Sequence, residues 1–290
     1  MVKLDMHLHS WFSDGKLSPE ELVLKCKEAG LELIAVTDHD NTGAIREALE
    51  AGRRLGVKVI PGAEFSVNDC DGHEQHILGY CFDWQSRALD DFFESWKATK
   101  VAQLEAMTEK LRDVGLQITA EQVIAPAKGS FNRAHIGYAV FEQPDNVALL
   151  KERYGIKEVH DFFRMFLKEG AEQSVYVPKT RPPVKDVLRL VLELGGISVW
   201  THPFWQGQTI SDITMKASVF KSMGLDGIET LYSRIFHSRD KAIALHCLAR
   251  AMNLYETAGS DFHSFRMGMY NKIGDFETFG IELNLPPCFI

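Results

Sequence analysis

The chain has 290 residues, 45% hydrophobic and 25% charged, an ordinary globular composition that excludes disorder, collagen-like repeats and low complexity. Lys and Arg number 32 against 40 Asp and Glu, a formal balance of −8 that grips long duplex nucleic acid poorly but leaves room for a small phosphorylated ligand held by local cations. Five scattered cysteines (Cys26, Cys70, Cys81, Cys247, Cys288) without a C-x-x-C pair predict neither a disulfide framework nor a zinc ribbon. With no signal-like N-terminus and no apolar run of transmembrane length, the chain reads as a soluble cytoplasmic protein with no membrane partner.

The first strand, residues 2–8, alternates apolar Val2, Leu4, Met6 and Leu8 with polar Lys3, Asp5 and His7. Ser18-Pro19-Glu20-Glu21 then opens a helix, with an S-x-x-E capping box and proline at the first helical position. Leu22, Val23, Cys26 and Ala29 form its buried stripe and Gly30 ends it. A strand at 33–36, a helix through Ile45, Ala48, Leu49 and Leu55, a strand from 57 towards Glu64 and a strand at 76–80 follow. This βαβαβ order predicts parallel strands with crossover helices. From Leu89 to Val114 the chain reads as one helix, with Leu104, Met107, Leu111 and Val114 at helical spacing, and helical character continues to about Val177 through Phe162, Phe163, Phe166 and Leu167. A helix at 187–194 and strands at 196–200, 225–230 and 254–257 restore the first pattern. The expected organisation is therefore an α/β barrel of residues 1–85 and 181–290, interrupted by a helical insertion at 86–180.

Polar residues recur where these strands end. His7 and His9, two apart on a strand, face one side. Asp14 follows in Ser13-Asp14-Gly15, His39 in Thr37-Asp38-His39-Asp40, and Glu64 in Gly62-Ala63-Glu64. His76 comes after a polar loop, His202 in Thr201-His202-Pro203, and Asp261 and His263 in Gly259-Ser260-Asp261-Phe262-His263. In a barrel the strand ends converge on one face, where catalytic sites are built. Taken singly, His202 reads as a hydrogen-bonded loop residue and Asp14 as a turn residue. Taken together, mixed imidazole and carboxylate donors point to a cluster for Zn, Mn or Fe rather than Ca. His160 and His246 lie in helical stretches and read as non-ligands. No P-loop and no G-x-S-x-G is present, which argues against P-loop nucleotide hydrolysis and the α/β-hydrolase route.

In this order, H-x-H with S-D-G, T-D-H-D, G-x-E, H-x-x-G, H-P and G-S-D-x-H resembles the PHP (polymerase and histidinol phosphatase) family of metal-dependent phosphoesterases. The motifs run from His7 to His263. The resemblance implies a distorted (β/α)7 TIM-like barrel with two to three divalent metal ions (Mn, Zn or Fe), hydrolysing phosphate esters with metal-activated water. It implies one metal on His7, His9, Glu64 and Asp261, a second on Glu64, His76 and His202, and a third on Asp14, His39 and His263. His73 is a competing ligand further out in the loop. Glu64, Asp261 and His202 are the implied catalytic residues.

A subfamily with a helical insertion is closer. It acts on the 3′-phosphate of nucleoside 3′,5′-bisphosphates or trims short 5′-phosphorylated RNA. Asn132-Arg133-Ala134-His135 resembles its S/T-R-x-H segment, which implies that Arg133 and His135 hold substrate phosphate in an insertion acting as a cap. The chain departs from that pattern at Met165-Phe166-Leu167 and Gly170-Ala171-Glu172, where two lysines are missing. Arg234 and His237, in the loop after the strand at 225–230, are the expected replacement contacts. A histidinol-phosphate-type phosphomonoesterase is the alternative enzyme. A non-catalytic PHP binding module is the alternative of another class, opposed by nine filled ligand positions.

Overall fold

The computed structural model describes residues 3–205, 207–233, 238–264 and 272–290. They divide into two compact units, Met1–Leu89 with Arg181–Ile290, and Asp90–Thr180.

The first unit carries a seven-stranded sheet in sequential order: β1 (Leu4–Leu8), β2 (Leu33–Val36), β3 (Lys58–Asn68), β4 (Glu74–Tyr80), β5 (Ile197–Trp200), β6 (Gly227–Tyr232) and β7 (Tyr255–Gly259). The chain beyond β7 returns to β1, with His9 N donating to Phe262 O at 2.9 Å and Asp261 N donating to His7 O at 2.9 Å. These bonds nearly close the sheet into a barrel. All seven strands contribute to one apolar cluster, among them Met6, Ala35, Ile60, Leu78, Val199, Leu231 and Ala258, so this cluster fills the interior. A second cluster packs Leu8, Ile34 and Val36 against α1 (Pro19–Glu28) and α2 (Ile45–Leu55). The capping box of α1 forms as its sequence predicts, with Ser18 and Glu21 bonding reciprocally.

Two strand expectations are corrected. β4 is antiparallel to both neighbours. The segment between β3 and β4 is too short for a helical crossover, which needs a dozen or more residues. Instead Asp69 closes a hairpin, its Oδ1 accepting from Asp71 N at 3.0 Å and His73 N at 2.8 Å. The period-two alternation of β1 does not separate a buried from an exposed face, because all five residues are buried. A register shift between Asp5 and Leu8 places Leu4 and Met6 inside the barrel and Leu8 beneath the helices.

Cys81 is disulfide-bonded to Cys288, with Cα atoms 6.7 Å apart, a pairing that the scattered spacing did not foretell. Cys81 follows the C-terminal end of β4, which antiparallel pairing puts at the opposite end of the barrel from His76. There Ile281 and Phe289 of the C-terminal segment join the interior cluster.

The second unit is helical. It contains most of α3 (Arg87–Asp113), then α4 (Ala120–Ile124), α5 (Arg133–Phe141), α6 (Pro144–Tyr154) and α7 (Val159–Phe162), which runs into a π-helical turn at Phe163–Leu167. Its own core includes Leu104, Met107, Leu111, Ile136, Leu150, Phe162 and Phe166. Among the described residues, no helix is long and apolar enough to cross a membrane.

Candidate metal centre

Each strand end delivers its polar residue through a local device. β1 supplies His7, and His9 follows directly on its end, both fully buried. The following loop turns sharply to bring in Asp14: a Cβ on Gly15 would lie 2.2 Å from His9 O, so only glycine permits the turn. Asp38 fixes this loop from the end of β2, accepting from Ser10 N at 2.8 Å, Ser10 Oγ at 2.6 Å and Ser13 Oγ at 2.6 Å. His39 comes next and bridges to Glu64 of β3. His76 is opposite Ser66 near the start of β4, and the antiparallel direction of β4 brings this end to the same rim. His202 and Asp261, just beyond β5 and β7, both have positive φ (+32° and +55°), backbone strain of the kind that persists where surroundings enforce it.

Glu64 is the centre of the cluster. Its Oε2 is 3.2 Å from His7 Nε2, 3.2 Å from His9 Nε2 and 3.1 Å from His39 Nδ1. Its Oε1 is 2.8 Å from His76 Nδ1 and 3.1 Å from His202 Nε2. Asp261 Oδ1 lies 3.3 Å from His7 Nε2 and 3.0 Å from His9 Nε2, and His263 Nε2 lies 3.3 Å from Asp14 Oδ1. Among the described residues three donor groups meet at this rim: His7, His9, Glu64 and Asp261; His39, Glu64 and His76; His9, Asp14, His39 and His263; a fourth, Asp69, Asp71 and His73, lies on the β3–β4 hairpin. The first is the set expected from sequence. In the second, His39 stands where His202 was expected beside Glu64 and His76, and His202 belongs to no donor group; in the third, His9 is added to Asp14, His39 and His263. His73 is instead exposed on the β3–β4 hairpin.

Two buried atoms test whether a cation fits. His9 Nε2 and His39 Nδ1 lack hydrogen-bond partners although each lies about 3 Å from a carboxylate oxygen. A shared cation would satisfy both imidazole and carboxylate lone pairs. The electrostatics of the protein groups alone agree with a site short of positive charge. Burial disfavours charge on His9, yet the carboxylates of Asp261 and Glu64 beside it push its pKa up to about 10. His76 is likewise pushed up to about 9 against burial, by Glu64 and then Glu74. For His39 burial prevails and lowers the value to about 4. Burial opposes ionisation of Glu64, but the surrounding imidazoles hold its carboxyl well below the usual range. Side-chain exposure of 14% at Asp261, 13% at His39 and 11% at His202, against none at His7, His9 and Glu64, identifies the side of the cluster that reaches solvent.

The PHP domain family matches residues 5–187. The chain belongs to the PHP domain family. Its PHP relatives include a 5′-3′ exoribonuclease of Haemophilus influenzae, 29% identical over 90% of each chain. A phosphoribosyl 1,2-cyclic phosphate 1,2-diphosphodiesterase of Eggerthella lenta is 30% identical over 93% of this chain and 97% of its own. A 3′,5′-nucleoside bisphosphate phosphatase of Chromobacterium violaceum is 30% identical over 91% of this chain and 88% of its own. A solved structure from Bifidobacterium adolescentis, described as a metal-dependent phosphoesterase, superposes with a TM-score of 0.79 at 26% identity, covering 94% of this chain and 91% of its own. This PHP chain is a metal-dependent phosphoric ester hydrolase with a distorted TIM-like barrel.

The substrate-side residues fall elsewhere. Arg133 and His135 lie in the helical unit at the start of α5. The Arg133 guanidinium sits over the rings of Tyr176 (5.0 Å) and Phe163 (5.9 Å), and His135 Nδ1 accepts from Asn132 N at 3.2 Å in a capping box. Arg234 and His237 lie outside the described residues. His246 is bonded to Glu256 and stands apart from the cluster.

Sequence reasoning did not single out the buried carboxylates behind the ligands. Asp5 accepts from Ser260 N and Gly274 N, Asp38 holds the Asp14 loop, and Glu229 touches His7, Thr201 and His202. A lone carboxylate within an apolar strand was the available signal.

Proposed function

We propose that the nine clustered residues hold two to three divalent metal ions, Mn, Zn or Fe, and that the chain hydrolyses phosphate esters of small nucleotides. The favoured substrates are the 3′-phosphate of nucleoside 3′,5′-bisphosphates and the 5′ end of short 5′-phosphorylated RNA. One observation carries the reading: five imidazoles converge on the buried Glu64 carboxylate, with two of their nitrogens left without hydrogen-bond partners. Bound there, divalent ions supply Lewis acidity towards phosphoryl oxygens and an acidic water able to attack phosphorus near neutral pH.

The residues divide the work. Glu64 belongs to two donor groups and sets their spacing. Asp261 Oδ1 joins His7 and His9 on the face open to substrate, and His202 Nε2 orients towards Glu64 beside it. Six imidazoles bind as neutral groups, so among the nine donors the negative charge comes from Asp14, Glu64 and Asp261. Those three charges leave two or three divalent ions incompletely neutralised, which supports attraction of an anion by an acidic protein.

The three relatives act, by name, on a nucleoside bisphosphate, on RNA and on a cyclic phosphoribosyl compound, which share phosphate on ribose. That common chemistry supports a ribose-phosphate substrate over histidinol phosphate. Arg133 and His135 are assigned to a second substrate phosphate, supported by their match to the S/T-R-x-H segment and by the aromatic rings that hold the guanidinium.

A turnover panel with Mn and with Zn tests the reading, using a nucleoside 3′,5′-bisphosphate, short 5′-phosphorylated RNA, a ribose 1,2-cyclic phosphate and histidinol phosphate. The first two should give the highest kcat/KM. Preference for the cyclic ester or histidinol phosphate would overturn the nucleotide assignment.

A further inference from the structure

Glu229 stands in the middle of β6, fully buried among Gly227, Ile228, Thr230 and Leu231. A carboxylate survives in such a place only if its oxygens find donors. Oε1 is 3.1 Å from His7 Nδ1, while Oε2 is 2.6 Å from Thr201 Oγ1 and 2.9 Å from His202 N. We infer that Glu229 is a positioning residue that sets the tautomer of His7 and the backbone turn of His202 together, a role that rests on the metal reading above.

The tautomer follows from counting protons. Thr201 donates its single hydroxyl proton to Glu229, so its lone pairs are what faces His7 Nδ1, 3.1 Å away. Both oxygens near Nδ1 are therefore acceptors, and the ring proton belongs on Nδ1. Nε2 is left with a lone pair, and Nε2 is the atom directed at Glu64 Oε2 (3.2 Å) and Asp261 Oδ1 (3.3 Å). A histidine whose far nitrogen donates to a carboxylate offers a metal a fixed and more basic ligand.

His202 is held through its backbone. Its φ of +32° is unfavourable for a residue with a Cβ, and the bond from His202 N to Glu229 Oε2 stabilises that turn. The turn brings His202 Nε2 to 3.1 Å from Glu64 Oε1. Strand β7 leaves space for the arrangement: a Cβ on Gly259 would lie 2.2 Å from His7 Cβ and 2.9 Å from Glu229 Oε1.

Glu229→Gln tests the inference because it keeps the shape. Its amide nitrogen must face either His7 Nδ1 or the Thr201 and His202 donors. The first choice forces the proton onto Nε2; the second unpairs the His202 turn. Mn and Zn affinities are measured by competition with a chelating dye, alongside melting with and without metal. Wild type should bind both ions, and Glu229→Gln should bind them about 10- to 100-fold more weakly. The metal-induced rise in Tm should shrink in the variant, whereas a merely structural role would lower both melts equally. If Glu229→Gln does not fold, Thr201→Val is measured instead and should show a smaller loss of the same kind. A folded variant with wild-type affinity and an unchanged metal-induced rise overturns the role of Glu229 and leaves the metal reading standing. Failure of wild type to bind either ion overturns both.

Discussion

Replacing Glu64 by glutamine preserves shape and removes the charge at the convergence point. Of the three donor groups at the rim, Glu64 belongs to two, and only His9, Asp14, His39 and His263 remain complete without it. Metal content should therefore fall towards a single ion per chain. A ligand present at 100 times its Kd stabilises the fold by about 2.7 kcal/mol, so two lost sites remove about 5 kcal/mol. For a chain of this size that corresponds to a fall in Tm of about 10 °C in excess metal. The metal-induced rise in Tm, the melt in metal less the chelator-treated melt, should shrink by that amount, because this part of the effect is linkage to bound metal. Metal analysis after dialysis against buffered Mn or Zn, melting with and without chelator, and turnover of a nucleoside 3′,5′-bisphosphate provide the readings. A Glu64→Gln protein with the full metal complement, the wild-type metal-induced rise in Tm and the wild-type rate would refute the assignment.

Arg133→Ala should raise KM about 10- to 100-fold for a nucleotide with a second phosphate, the cost of one charge-assisted hydrogen bond, and leave KM for a minimal monoester unchanged. Equal changes for both substrates would remove Arg133 from substrate recognition. Cys288→Ser should lower stability in oxidising buffer by up to about 5 kcal/mol, the loop-entropy value for a bridge of this span. Urea unfolding with and without reductant checks this, and a difference that persists in reductant would contradict it. Asp69 is held below its ordinary 3.8: burial opposes ionisation, but hydrogen bonds from Lys216, His73 N and Asp71 N outweigh it. Its ionised form therefore adds stability above pH 3.8 that is lost as pH falls through the lower folded value. Asp69→Asn should be less stable than wild type at pH 7, with a gap that narrows below pH 3.8; a gap that widens on acidification would reverse the sign.

The residues proposed as ligands were legible as candidates because each sits beside a strand-end signal. His7 and His9 are two apart on a strand, and Asp14, His39, Glu64, His202, Asp261 and His263 all follow apolar strand runs. A period-two rule places His7 and His9 on one side whatever the topology. It could not show that β1 is buried on both faces, since one is covered by the barrel interior and the other by α1 and α2. Nor does periodicity give strand direction. The direction of β4 is set by the short Asp69 hairpin, whose turn chemistry is visible in Asp69-Cys70-Asp71-Gly72 but was read as an ordinary polar loop. His76 still reaches the rim, because reversing a strand exchanges which of its ends lies there.

What stayed hidden shares one cause. The Cys81–Cys288 pairing joins residues 207 positions apart, and nothing local in either segment encodes the other. Glu229, Asp5 and Asp38 likewise act on residues from different strands, so their roles exist only once the barrel closes. A carboxylate buried in a strand or at its end is nevertheless an expensive choice for a sequence to keep. Each of the three is fully or almost fully buried, and each accepts from a segment that carries ligands: Glu229 from β1 and the β5 end, Asp38 from the Asp14 loop, Asp5 from the Asp261 segment. The apolar strand makes the carboxylate costly, the ligand-bearing loop supplies the donors that offset the cost, and the result is a loop with one geometry. A carboxylate inside an otherwise apolar strand, followed within a few residues by a polar strand end, is thus a sequence signal for the scaffold behind such a metal centre as well as for the centre itself.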